Sequence, residues 1–191
     1  ASLPTIQYAL EQGAKVVFAD IDPHTWCLDP LKVVELITPR TKAILPVHFA
    51  GLACAIDKFD RISRDTGVPV IYDAAHAVGT KFEQAPIGGR GQASCYSFQS
   101  NKNMTCLGEG GAVTTNDEAF AEKVRQLKTF GYVYGANLRV ASVGFNYRMT
   151  KPQYAVGLTQ LAKIDRVIAA RQNCMGALNA LLANVPEIIR P

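Results

Sequence analysis

The stretch VPVIYDAAHAVGT (residues 68–80) decides the fold. Its first half is almost uninterrupted apolar sequence, short and β-branched, the pattern of a strand buried on both faces. It stops on Asp73, followed by small residues and His76. Just upstream, residues 55–65 have helical periodicity and end at Gly67, the residue type that most easily closes a helix in the left-handed conformation. Farther upstream, KVVFAD (15–20) and KAILPVHF (42–49) read as two more strands. Between them Asp29 and Pro30 read as the N-cap and first position of a helix reaching about residue 37. Downstream, SCYSFQ (94–99) and GAVTT (111–115) read as the remaining strands. Asn116 is expected to cap a helix running to about residue 130, with Gly131 as its stop. Apolar strands separated by helices define an α/β fold with a mostly parallel sheet flanked by helices. Right-handed crossovers then put the strand carboxyl ends on one edge, where such sheets bind ligands.

The texture changes after Gly131. Residues 132–149 are rich in Tyr, Gly and Asn without a period, and are expected to be extended. Thr150 and Gln153 match a capping box. Leu158, Leu161, Ile164 and Ile168 then recur at helical spacing, which predicts one long helix over 152–183 with its apolar stripe packed inward.

Composition narrows the function. The chain has 191 residues, 48% hydrophobic and 19% charged, which suits a domain with a real core and excludes disorder. A net charge of +4 with scattered Lys and Arg gives no nucleic-acid footprint. No apolar run reaches the roughly 18 residues of a membrane helix, and no leader-like segment opens the chain. Cys27, Cys54, Cys95, Cys106 and Cys174 are odd in number and widely spread, without zinc-site spacing, so no metal site is expected. They read as buried small hydrophobes in a reducing compartment, with the cytoplasm as the expected location.

Three residues suggest chemistry only when taken together. Alone, Asp73 reads as a turn-capping residue, Lys102 as an exposed loop lysine and Ser97 as an ordinary strand serine. Asp73 and Lys102, however, follow different strands of one sheet, so their side chains could meet at its ligand edge. A lysine that forms a Schiff base, opposed by a carboxylate, is what pyridoxal 5′-phosphate requires. The carboxylate keeps the pyridine nitrogen protonated, while a hydroxyl and backbone N–H groups bind the phosphate. The glycines at 108–111 (GEGG) do not form a dinucleotide fingerprint.

With these residues in place, the sequence resembles the DegT/DnrJ/EryC1/StrS family of sugar aminotransferases, pyridoxal-phosphate enzymes of the aspartate-aminotransferase fold (fold type I). The matching stretches are VFADIDPHTWCLDP (17–30), TPRTKAILPVHFAG (38–51), VIYDAAHAVGT (70–80), SFQSNKNMTCLGEGGAVTTND (97–117) and GFNYRMT (144–150). They follow the family's order and cover almost the whole chain. The resemblance implies that residues 1–135 are part of the cofactor-binding large domain, truncated at both ends. Residues 136–191 would be an inter-domain segment and a long helix leading to a small domain. The piece alone is expected to be inactive.

The resemblance also implies roles. Lys102 matches the lysine that holds the cofactor covalently, and Asp73 the carboxylate on its pyridinium nitrogen. His76 falls near the ring oxygen, with a backbone-bonded histidine as the competing reading. Ser97 matches a phosphate ligand. Asn146 lies in the segment that reaches the neighbouring subunit's cofactor, so a homodimer is implied. Arg148, beside it, could serve the substrate or only that interface; His48 is read as structural. The implied activity is transfer of an amino group from L-glutamate to a keto sugar, nucleotide-linked by family habit. Relatives that remove a sugar hydroxyl have His in place of this lysine, so Lys102 favours aminotransfer. A keto-cyclitol aminotransferase, a non-catalytic regulatory relative and a generic α/β nucleotide-binding module remain as alternatives.

Overall fold

A computed structural model describes residues 3–133, 135, 137–185 and 187–188. At its centre, strand β1 (Ile71–Asp73) pairs in parallel with β4 (Ala93–Ser97), and β4 pairs antiparallel with β5 (Gly111–Thr114). Two short hairpin pairs, β2 (Lys81–Phe82) with β3 (Ala85–Pro86) and β6 (Tyr132–Val133) with β7 (Arg139–Val140), lie outside this sheet. The helices are α1 (Leu3–Glu11), α2 (Pro30–Val34), α3 (Ile56–Thr66), α4 (Glu118–Leu127), α5 (Lys151–Leu161) and α6 (Ile164–Leu181).

The segment expected as a strand over 42–49 runs parallel to the free side of β1. It is bridged at Ile44 with Val70 and at Val47 with Asp73, rather than as one continuous strand. Pro46 has no N–H to give, although its carbonyl accepts from Asp73 N at 2.9 Å. Two parallel pairings against one antiparallel one make the sheet mostly parallel. The antiparallel exception has a simple cause: the connection from β4 to β5 carries no helix, and without a crossover the chain returns alongside itself.

The expected strand over 15–20 is not present among the described residues. Only Ile21 bridges Leu28, and Val17 and Phe18 are exposed. β-propensity is local, but a strand exists only where a partner lies beside it.

The core forms where α3 covers β1. Ile56, Phe59 and Ile62 recur every three residues and are buried, together with Val70, Tyr72, Ala74 and Ile87. Burying a side chain of this size stabilises by about 1.5–3 kcal/mol. Asp29 caps α2 by accepting Leu31 N, and Gly67 ends α3 in the left-handed conformation, both as the sequence indicates. Asp117, not Asn116, caps α4, because its carboxylate reaches Phe120 N at 2.9 Å. That helix ends at Leu127, three residues before the expected position.

The single helix expected over 152–183 is two helices, broken at Ala162 and Lys163. Thr150 N donates to Gln153 Oε1 at 2.7 Å, the predicted capping contact. The apolar stripe divides at the break. Ile164 is buried and Ile168 packs on Val78, but Leu158 and Leu161 are exposed. No helix among the described residues is long and apolar enough to cross a membrane.

Candidate active site

Asp73 is held mainly by the backbone. His48 N donates to its carbonyl at 3.0 Å, its own N–H donates to Pro46, and Ala74 N donates to Cys95 O at 2.8 Å. Its side chain stands at the carboxyl end of β1, half-buried. Oδ1 accepts from Ala75 N at 3.0 Å and Oδ2 from Thr5 Oγ1 at 2.6 Å. Thr5 belongs to α1, an element the sequence did not announce. Nothing local to Thr5 links it to a strand end 68 residues away.

Asp73 pairs with Cys95 across the parallel ladder, and directly paired residues share a face. Ser97 is two residues farther along β4, so it lies on the same face, nearer the ligand edge. Its Oγ accepts from Gln99 N at 3.3 Å, which starts the turn toward Lys102. Burial raises the Cys95 thiol pKa, and the nearby Asp73 charge adds to the rise.

Lys102 lies beyond β4, in a loop anchored at its base by Cys106 N donating to Phe98 O at 3.1 Å. Met104 and Cys106 point inward and are buried. Lys102 N donates to Gln99 O at 3.0 Å. The side chain is partly exposed, and its ammonium has no hydrogen bond or ion pair among the described residues. It lines a cavity of about 300 Å³ with Ala50, His76, Asn101, Asn103 and Arg171.

His76 links the two candidates. Its pKa is lowered, first by burial and then by the positive charge of Lys102, while Asp73 pulls the other way. Both charges therefore act on this one ring. His76 Nδ1 is buried with no partner among the described residues. The alternative of a backbone-bonded imidazole is thus not met at that nitrogen.

His48 is fully buried, stacks on Tyr72 with ring centroids 5.0 Å apart, and accepts Cys54 N on Nδ1 at 3.1 Å. Burial pushes its pKa down to about 4. These contacts agree with a structural reading.

Asn146 stands apart from this group. It is exposed on the segment beside the end of α4, bridged to Thr129, and accepts Arg148 Nε at 2.9 Å. Of the sequence-predicted site residues only His76 lines the cavity with Lys102; Asp73, Ser97 and Asn146 do not. Arg148 also stacks over Phe130, 4.9 Å from the ring centroid. Sequence reasoning missed Thr5, Asn103 and Arg171. Asn103 alone carried a signal, as the residue after the candidate lysine.

The sheet, its covering helices and the loop after β4 define the large domain of a fold type I aminotransferase. Solved structures agree. PseC of Helicobacter pylori, an aminotransferase in pseudoaminic acid biosynthesis, matches with a TM-score of 0.93 at 29% identity, over 97% of this chain and 50% of that one. DesI, solved in the presence of its TDP-sugar product, matches at 0.88 with 34% identity, over 97% of this chain and 46% of that one. The chain belongs to the DegT/DnrJ/EryC1/StrS aminotransferase family, whose model matches residues 3–191. GDP-perosamine synthase of Caulobacter vibrioides is 42% identical over 97% of this chain and 49% of its own length. The chain spans about half the length of the curated relatives it matches.

Proposed function

We infer that the protein containing this chain is a pyridoxal-phosphate-dependent aminotransferase that moves an amino group from L-glutamate to a nucleotide-linked keto sugar. The observation that carries this reading is geometric: β1, which ends on Asp73, runs parallel beside β4, whose following loop carries Lys102, and Lys102 shares one cavity with His76 of the turn after Asp73. The named relatives above, one acting in sugar biosynthesis and one solved with a TDP-sugar, support the acceptor class.

The residues present fit the cofactor. Lys102 offers an amine at the cavity wall, with no hydrogen-bond or ion-pair partner among the described residues. Asp73 accepts two hydrogen bonds, and a carboxylate has lone pairs for about four, so it can still meet a pyridinium N–H. Ser97 Oγ accepts from Gln99 N and keeps its own O–H to donate to a phosphate, and His76 can approach the ring oxygen. When bound, the cofactor supplies an aldehyde for the lysine and a ring that accepts electrons from the substrate's α-carbon.

The chain's own residues would do the rest. Asp73, fixed by Thr5 and Ala75, holds a negative charge against the ring nitrogen and keeps that nitrogen protonated. Lys102, once displaced by an incoming amine, is placed to take a proton from the donor's α-carbon and return it elsewhere as a general base and acid. We assign residues 1–135 to the cofactor-binding domain and residues 136–191, which carry α5 and α6, to the connecting segment. Exposed Asn146 suits a contact with a second copy's site, so we infer a homodimer that works in the cytoplasm.

The test is a glutamate half-reaction on the full-length protein reconstituted with cofactor, followed by a set of keto-sugar nucleotides. Conversion of the bound chromophore by L-glutamate, reversed by a keto-sugar nucleotide, is expected. A bound chromophore that glutamate leaves unchanged would favour the regulatory reading.

A further inference from the structure

Asn103 makes a contact that the amino-transfer chemistry does not use. Its Nδ2 donates to the carbonyl of His76 at 3.0 Å, and its Oδ1 accepts from Arg171 Nη1 at 2.7 Å. The first bond crosses from the Lys102 loop to the turn after Asp73. The second crosses from that loop to α6. Each partner is distant in sequence, 27 and 68 residues away, so neither bond is a by-product of local turn geometry.

The surroundings make this junction specific. The turn from Asp73 to His76 is short and internally bonded, with Ala77 N donating to Ala74 O at 2.9 Å. The His76 carbonyl therefore moves with Asp73. A Cβ at Gly51 would stand only 3.0 Å from that carbonyl oxygen, and Gly51 has a φ of +88°. Glycine there leaves the oxygen room to meet Asn103. On the other side, α6 is seated by Ile168 and Ile164 against Gly79, in the same segment, and Arg171 follows on α6 one turn after Ile168. A side chain that joins these elements must donate on one side and accept on the other. Asn does both; Asp could not donate to the carbonyl, and an apolar residue could do neither.

We propose that Asn103, steadied by Arg171, is a positioning residue that sets the Lys102 amine relative to Asp73. Other hydrogen bonds tie the loop to β4, to itself and, at Glu109, to Gln153 of α5; the Asn103 amide ties it to the carboxylate's turn. The device deepens the reading of Lys102 as the cofactor lysine and rests on it. It also makes α6 part of the site's geometry, so displacement of that helix would be felt at the lysine.

The test uses the full-length protein without cofactor. Competitive labelling with an amine reagent across pH gives the rate and pH midpoint for Lys102, with Lys81 and Lys151 as internal references. Asn103→Leu keeps shape and charge but removes the amide. Arg171→Ala is measured at high ionic strength, where loss of the guanidinium charge is screened. Both variants should shift Lys102 labelling roughly three- to tenfold, the range of one lost hydrogen bond, with reference lysines and melting temperature little changed. Lys102 labelling within about twofold of the unaltered protein in both variants would overturn the proposal. Should Asn103→Leu fail to fold, the same threshold applied to Arg171→Ala, an exposed position, decides alone. Because labelling reads the amine itself, this failure is distinct from failure to find cofactor on Lys102.

Discussion

Asp73 ends β1 and Lys102 follows its parallel neighbour β4, yet they are held in opposite ways. Asp73 lies inside the sheet's hydrogen bonding, with fully buried Tyr72 and Ala74 on either side. Lys102 lies five residues beyond β4, in a loop fixed by its base, by buried Met104 and Cys106, and by side-chain bridges. In the proposed function, the group that would hold a constant charge is placed by the sheet's own ladder, and the group that would carry a proton by a loop held through its base and its side chains. Replacement of either residue should show this contrast.

The largest effect is expected at the lysine. Lys102→Ala should lower amino transfer by at least roughly 10³-fold in a coupled assay, because both the covalent link and the proton carrier are lost. Melting temperature should hardly change, since the ammonium makes no ion pair among the described residues. A variant that kept most of its activity would break the comparison at its centre.

Asp73→Asn should lower turnover by roughly 10²-fold, because a neutral amide no longer favours the protonated ring nitrogen. The substitution sharpens the comparison through stability. The Ala75 N–H needs an acceptor that Asn still supplies, so thermal denaturation should reveal only a modest loss.

His48 tests the sheet side alone. Its ordinary pKa of 6.5 is lowered to about 4 by burial, so the unfolded chain binds its proton first as pH falls. Stability from this group is fully present above pH 6.5 and fades as pH falls toward about 4. The lowered pKa corresponds to about 3 kcal/mol across that window. Urea denaturation of the full-length protein at several pH values should therefore slope downward with acid. In His48→Gln that slope should flatten.

The smallest effect tests the loop side. A Cβ at Gly157 would lie 2.8 Å from Cys106 Sγ, where α5 packs on the base of the lysine loop. Gly157→Ala should cost about 1–2 kcal/mol by overpacking, less the helix propensity that alanine gains. Denaturant midpoints measure it. A stabilised variant would mean that the loop yields more readily than the packing implies.

The same contrast explains what the sequence made legible. Strand VPVIYD, α3 with its closing glycine, and the caps at Asp29 and Thr150 all have local causes, and they could be read. Residues 15–20 looked like a strand because propensity is visible and a missing partner is not. The break at Ala162 and Lys163 has no proline or glycine to announce it. Of the candidate site, Asp73, Lys102 and Ser97 were legible together from their places in and after neighbouring strands, and His76 and Asn146 only through the family resemblance. Thr5 and Arg171 were not, because their contacts depend on how distant segments pack. Asn146 was legible as a motif, but its partner would belong to another copy of the chain.

The central claim is that Lys102 is the cofactor's amine. Its most direct test is borohydride reduction of the intact, cofactor-loaded protein, followed by peptide mapping. The account predicts a single cofactor-bearing lysine, Lys102, and no label in Lys102→Ala. A modified lysine elsewhere, or none in a protein that holds the cofactor, would contradict it.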